Sequence, residues 1–101
     1  MNRAIIFRPA ALQDLAEIWV YSAQNRGADQ ADIYIREIHS VLAKVAGNPA
    51  LGSPQDHVQH GLRKMTAAFH VVYYFHDDRI VRVSRILHPA MDVGAAISDA
   101  K

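Results

Sequence analysis

The chain has 101 residues, of which 50% are hydrophobic and 21% are charged; these proportions are typical of one folded domain and argue against intrinsic disorder. It contains no cysteine, which excludes disulfides and cysteine metal sites, and it shows no signal peptide or membrane-spanning run, so we expect a cytoplasmic protein with no membrane contact. The net charge is only +1, but residues 61–88 carry five lysines and arginines against two aspartates, a basic segment that suits an acidic partner or nucleic acid.

The N-terminal half predicts one strand and two helices. Residues 4–7 form a short apolar run, and a helix is expected from about Pro9 because proline suits the first helical turn. Apolar residues at three- and four-residue spacing continue to Gly27, and a second amphipathic helix runs from about Asp29 to Gly47. The short link between them predicts an antiparallel helical hairpin.

Residues 49–61 show no periodicity and predict a loop, which three strands follow at 62–66, 69–76 and 80–87. The expected order is therefore β-α-α-β-β-β. This is an α+β domain with an antiparallel sheet and the helical hairpin of the N-terminal half packed on one face. We expect a single domain over residues 1–101, with a C-terminal tail from about 93 to 101.

The last strand carries an arginine at every third position, Arg79, Arg82 and Arg85. Strict alternation of side chains places Arg82 and His88 on one face of the sheet and Arg85 on the other. Arg82 and His88 are therefore predicted to be exposed residues that contact a target.

Arg85 shares its predicted face with Val81 and Val83. A permanently charged guanidinium is costly there unless it is paired. We expect a pair with a carboxylate of the first helix, Asp14 or Glu17, and take Glu17 as the predicted partner.

The residue pattern bears on three kinds of chemistry. No serine lies in a Gly-x-Ser-x-Gly turn, so serine nucleophile catalysis is disfavoured. The histidines lack the spacing of a structural metal site, and no metal is predicted. An acid–base or RNA-cleaving site on the sheet stays open, because a histidine and several cations lie on or beside the predicted strands: Arg63, Lys64, Arg82, Arg85 and His88.

The first helix also predicts a surface. Trp19 and Tyr21 are two positions apart and cannot both point into the core. Val20 and Tyr21 are expected to form an exposed apolar strip of the kind that marks a partner site, with ordinary surface scatter as the alternative.

Several short segments, taken in order, resemble the ParE toxins of the RelE/ParE superfamily of bacterial toxin–antitoxin systems. They cover about residues 4–92 and are Phe7-Arg-Pro-x-Ala11, Asp14-Leu-x-Glu-Ile-Trp-x-Tyr21, Gln30-Ala-Asp-x-Tyr-Ile35, Pro49-x-Leu-Gly52, Gly61-Leu-Arg63, His70-Val-Val-Tyr-Tyr74, Arg85-Ile-Leu-His88 and Met91-Asp92. The fold of that superfamily is the same β-α-α-β-β-β order.

The resemblance implies a toxin that poisons DNA gyrase and performs no chemistry of its own, with no catalytic residue and no cofactor. It further implies a hetero-oligomer with a ParD-type antitoxin that wraps the helical hairpin and the sheet. The toxin would then contact DNA only indirectly, through the antitoxin or gyrase. The antitoxin contacts expected on that basis are Val20, Tyr21, Arg63 and Tyr73. The alternative is a RelE-like toxin that cleaves messenger RNA on the ribosome; the chain departs from that pattern because only Arg63 and Lys64 supply its basic cluster, although His88 follows the last strand.

Overall fold

The computed structural model describes residues 2–97 and confirms the predicted order of strands and helices. The elements are β1 (Ala4–Phe7), α1 (Pro9–Arg26), α2 (Ala28–Gly47), a 3-10 turn (Pro49–Leu51), β2 (Ser53–Pro54), β3 (Arg63–Ala67), β4 (His70–His76), β5 (Ile80–Leu87) and α3 (Val93–Ile97). The short elements β2 and α3 are additions to the prediction. The predicted tail begins as α3, and its residues 98–101 lie outside the described part of the chain.

The two long helices are joined by one residue, Gly27. Its φ of 92° lies in the region that glycine adopts readily, and its N–H caps α1 by donating to the carbonyl of Ala23. Within residues 2–97, no helix has both the length and the apolar character needed to cross a bilayer.

The sheet is mixed, with the order β1-β5-β4-β3-β2. The last four strands of that order pair antiparallel, whereas β1 lies parallel to β5 at the edge, with Ala4 opposite Ile80. The prediction of a wholly antiparallel sheet is therefore wrong for β1. It rested on the short connections among the last three strands, and these carry no information about a strand that two helices separate from them.

The main core lies between this sheet and the helical hairpin. The hairpin contributes Ile38, Leu42 and Val45, which follow one another along one side of α2 and are fully buried. The fully buried strand residues that meet them are Val72, Tyr74, Val81 and Val83.

A second, smaller cluster lies on the other face of the sheet. It contains Leu62, Tyr73, Leu87 and Ile97, and Ile97 belongs to α3. The C-terminal segment therefore covers part of the face that the helical hairpin leaves open.

An irregularity in β5 changes the direction of its side chains. Tyr74 lies opposite Val83, but the preceding residue Tyr73 lies opposite Arg85, so Ser84 is an extra residue in β5. Such a β-bulge shifts the alternation of the strand by one position.

The bulge overturns the predicted faces of this strand. Arg82 lies opposite Phe75 and Arg85 opposite Tyr73, so both arginines are on the face of the second cluster. Ile86 belongs to the main core on the helical side, and His88 follows it by two positions. The predictions that Arg82 and His88 share a face, and that Arg85 lies with the core valines, are therefore wrong.

Candidate partner-binding site

A groove of about 550 Å³ lies between α1, α2 and the turn that joins β3 to β4. Helical spacing brings its lining together, because residues three or four positions apart lie on the same side of a helix. The residues that give the groove its chemical character are Glu17 and Tyr21 from α1, Ile33, Tyr34 and Glu37 from α2, and Phe69, His70 and His88 from the sheet.

Three apolar side chains on this groove are turned toward solvent. Phe69 is 76% exposed, Tyr21 is 70% exposed and Ile33 is 42% exposed. Large aromatic residues at that exposure are typical of surfaces that a partner covers.

Tyr34 fixes the position of Phe69. Its hydroxyl accepts the backbone N–H of Phe69 at 3.0 Å and lies 2.6 Å from Nδ1 of His70, to which it donates when Nδ1 carries no proton. The turn needs this support because Ala68 has a φ of 56°, a conformation that costs energy in a residue with a side chain. The exposed phenyl ring is therefore held by a local hydrogen-bond network.

Two imidazoles stand at one end of the groove. The rings of His70 and His88 are nearly perpendicular, with centroids 6.1 Å apart. Burial lowers the pKa of His70, the nearby charge of His88 lowers it further, and the carboxylate of Asp14 acts in the opposite direction. His70 is therefore neutral near pH 7. Within residues 2–97, no three histidine, aspartate or glutamate side chains are placed to hold a metal ion.

The predicted strip on α1 is exposed, with Val20 at 48% and Tyr21 at 70%. Tyr21 lines the groove, and both residues also line a shallow concavity on the outer side of α1. Trp19 is turned toward α2, where its indole N–H donates to Asp32 at 2.9 Å. The two aromatic residues of this helix thus have separate roles, one tying the hairpin together and the other facing solvent.

The other two predicted antitoxin contacts are engaged inside the protein. The Arg63 guanidinium is half-buried and donates to the carbonyl of Gly52 at 2.5 Å. The ring of Tyr73 is 8% exposed and packs with Leu87 and Ile97 on the second face. Neither residue lies on the groove.

The predicted target contacts are separated by the sheet. His88 is exposed and lies on the groove. Arg82 is half-buried on the second face, where its guanidinium carbon lies 5.9 Å from the centre of the Phe75 ring, within reach of a cation–π interaction. These two residues do not form one patch.

The prediction that Glu17 pairs with Arg85 is wrong. The partner is Asp14, whose carboxylate lies 2.8 Å from the guanidinium and is largely buried. The pKa of Arg85 is raised chiefly by its hydrogen bond to Asp14, and Glu17 contributes only the smallest, purely electrostatic part. Asp14 precedes Glu17 by one turn and faces the edge of β5, whereas Glu17 is exposed on the groove.

Sequence reasoning missed the sheet side of the groove. Tyr34 lies within the second predicted helix and Phe69 and His70 within the predicted strand 69–76, and none of the three is predicted to meet a partner. The short connection between the two predicted strands 62–66 and 69–76 was the signal that could have placed Phe69 at the end of the sheet, because a turn between strands presents its side chains there.

A sequence model of the family described as "ParE toxin of type II toxin-antitoxin system, parDE" matches residues 5–93. Toxin ParE1 of Mycobacterium tuberculosis (strain CDC 1551 / Oshkosh) is 35% identical over 94 residues, which cover 92% of this chain and 96% of the relative. Toxin ParE1 of Caulobacter vibrioides is 36% identical over 85 residues, covering 84% of this chain and 88% of the relative.

Two solved structures share the fold. A chain of the "Chromosomal ParDE TA system from P. aeruginosa" superposes with a TM-score of 0.73 at 15% identity, covering 86% of this chain and 96% of that one. A chain of the toxin–antitoxin complex RelBE2 from Mycobacterium tuberculosis superposes with a TM-score of 0.59 at 17% identity, covering 87% of this chain and 99% of that one. These structures support the fold alone, whereas the family model and the two relatives identify the protein: the chain belongs to the ParE toxin family of type II toxin–antitoxin systems.

Proposed function

We propose that this toxin inhibits DNA gyrase and that a ParD-type antitoxin neutralises it by covering the groove between α1, α2 and the β3–β4 turn. The observation that carries the proposal is the near full-length similarity to two proteins named Toxin ParE1. The proposed site of action is the cytoplasm, where gyrase and its DNA substrate are found.

The groove supports an antitoxin as partner. Its exposed aromatic residues, Tyr21 and Phe69, are the kind of side chain that contributes most to protein–protein interfaces. The two structural neighbours come from a ParDE system and from a toxin–antitoxin complex, which fits a protein that functions with a bound partner.

A supercoiling assay with purified gyrase tests the proposed target. The toxin should block the supercoiling of relaxed plasmid and cause DNA breaks that require gyrase, and addition of the antitoxin should reverse both effects. No inhibition and no gyrase-dependent breaks at excess toxin would refute the proposal. Because Arg82 and His88 lie on opposite faces of the sheet, Arg82→Gln and His88→Gln should be assayed separately to learn which face meets gyrase.

A second candidate function is ribosome-dependent cleavage of messenger RNA, favoured by the pair of imidazoles at His70 and His88. The two rings have centroids 6.1 Å apart, a spacing that lets one histidine act as general acid and the other as general base on a phosphate between them. The charge of the groove opposes it, because Glu17 and Glu37 repel a polyanion and Arg26 is the only cationic lysine or arginine among the lining residues. Primer extension on translated messenger RNA distinguishes the two functions: cuts that disappear in His88→Ala would establish the ribonuclease.

A further inference from the structure

We propose that the groove binds an arginine or lysine side chain of the partner, carried by an apolar segment and received between Glu17 and Glu37. The identity of the partner as an antitoxin rests on the proposed function. The cation preference rests on the charge of the groove alone.

Two carboxylates line the groove, one from each long helix. The chain has only two glutamates, Glu17 and Glu37, and both line this one groove from different helices. Among residues 2–97 neither forms an ion pair, and Glu17 accepts one side-chain hydrogen bond, from the amide of Gln13 at 3.1 Å. Both carboxylates therefore keep acceptor capacity for an incoming donor.

The lysines and arginines of the lining do not balance the two glutamates. Arg26 is the one lysine or arginine of the lining, so two carboxylates stand against one guanidinium. His70 is neutral there, since its Nδ1 bonds Tyr34 and burial disfavours its charged form. An entering cation would thus gain attraction, whereas an acidic segment would be repelled.

The apolar lining suits the stem of such a side chain. Tyr21, Ile33 and Phe69 line the same groove as the carboxylates and expose apolar surface there. Lysine and arginine bury their methylene stems on apolar surface while the charged head stays at a polar site, and guanidinium groups also stack on aromatic rings. The groove therefore selects a cation next to large apolar residues, rather than a highly charged and purely hydrophilic tail.

Binding of matched peptides tests this preference. A short amphipathic peptide of leucine, alanine and glutamine with one central guest position is labelled and titrated with the folded protein, with fluorescence anisotropy as the readout. The guests are arginine, its neutral isostere citrulline, and glutamate. The arginine peptide should bind about fivefold more tightly than the citrulline peptide, and the glutamate peptide should bind more weakly than either.

The variants assign that preference to the two carboxylates. Glu17→Gln and Glu37→Gln should each reduce the ratio of citrulline to arginine dissociation constants, and the double variant should bring it close to one. Asp78→Asn removes an exposed negative charge from the β4–β5 turn and should leave the ratio unchanged. Arg26→Gln should increase it, because the cation that partly offsets the two glutamates is lost.

Two results would overturn the inference: equal binding of the arginine and citrulline peptides, or a preference for arginine that survives in the double variant. Failure of all three peptides to bind would overturn it as well. Failure of the proposed function would be seen separately, in the gyrase assay. A protein that leaves gyrase unaffected can still bind the arginine peptide more tightly than the citrulline peptide.

Discussion

Asp14 and Arg85 lie 71 positions apart in the sequence and are joined by two hydrogen bonds of 2.8 Å, one from Nε and one from Nη2 of the guanidinium. One of the two carboxylate oxygens of Asp14 also accepts the backbone N–H of Ile86 at 2.9 Å. The parallel pairing of β1 with β5 ends where the N–H of Arg8 donates to the carbonyl of Val83. Asp14 therefore accepts a backbone hydrogen bond from β5 just beyond the point where the pairing of β5 with β1 ends.

The same guanidinium reaches the C-terminal segment. Nη1 of Arg85 donates to the carbonyl of Ala96 in α3 at 3.3 Å. Arg85 thus links two helices, α1 and α3, which lie on opposite faces of the sheet.

Replacing Asp14 with Asn should destabilise the protein by about 2–4 kcal/mol. The amide nitrogen of Asn cannot accept from the guanidinium, so Arg85 is left half-buried with its charge uncompensated. Urea unfolding measures the loss. Arg85→Lys should show a smaller loss, because lysine keeps a positive charge beside Asp14 although it cannot form the two-pronged pair.

Glu17→Gln is the matched control for this prediction. It removes the same charge one turn further along α1, on an exposed side chain, and should change the free energy of unfolding by less than about 0.5 kcal/mol. Equal losses for Asp14→Asn and Glu17→Gln would show that the ion pair contributes nothing specific.

The helices could be predicted because their period is local. The stripe of α2, for example Ile38, Leu42 and Val45, is visible in any window of a dozen residues. The stop at Gly27 and the start at Pro9 follow from the backbone geometry of those two residues alone.

The candidate site depends on relationships that no local pattern contains. The bulge at Ser84 leaves the apolar content of β5 unchanged, so alternation carries no sign of it, yet it moves Arg85 to the other face. Asp14 and Glu17 are one turn apart on α1, so helical spacing alone does not choose between them. Asp14 is the one that meets β5, just beyond the end of β1. The meeting of Tyr34 with His70 joins positions 36 apart and follows from the packing of α2 on the sheet.

Gly52→Ala should destabilise the protein by about 2–4 kcal/mol. The φ of Gly52 is −74°, so backbone strain is not the reason. An added methyl group would overlap the Tyr74 hydroxyl and lie 2.8 Å from the carbonyl oxygen of Lys64, closer than real contacts allow. Chemical denaturation measures the change, and Gly47→Ala, where the nearest atom is a flexible side chain at 3.2 Å, is the matched control.

Tyr74→Phe should cost about 1–3 kcal/mol for a different reason. The buried hydroxyl accepts the N–H of Gly52 at 2.9 Å and donates to the carbonyl of Pro49 at 2.6 Å, and both backbone groups lose their partner in the variant. The costs of Tyr74→Phe and Gly52→Ala should not add, because the first variant removes one of the atoms that the second collides with. Simple additivity in a double-mutant cycle would contradict this contact.

Tyr21→Ala and Phe69→Ala should each weaken binding of the antitoxin about tenfold or more while leaving the thermal midpoint nearly unchanged. Both side chains are largely exposed in the free protein, so their removal creates no cavity, whereas a partner on the groove would bury them. Calorimetric titration with the antitoxin gives the affinity. Leu51→Ala removes an exposed apolar side chain that does not line the groove and should have no effect; equal weakening by this control would place the interface elsewhere.

Acidification should destabilise the fold through His70. In the unfolded chain its imidazole titrates near the ordinary value of 6.5, whereas burial, followed by the charge of His88, lowers its pKa in the fold. Between the two pKa values the unfolded chain binds more protons, so this contribution to stability is complete above about pH 6.5 and is lost as the pH falls toward the folded pKa. His70→Gln should show a shallower loss over the same range in urea unfolding.

An NMR titration separates the two causes of that shift. His88→Gln removes the neighbouring positive charge, so the pKa of His70 should rise toward 6.5 without reaching it, because burial remains the larger effect. His57→Gln alters an exposed loop histidine and should leave the titration of His70 as it is in the parent protein. A His70 that titrates identically in all three proteins would show that the imidazole pair in the groove is not electrostatically coupled, and the pH dependence would then have to come from burial alone.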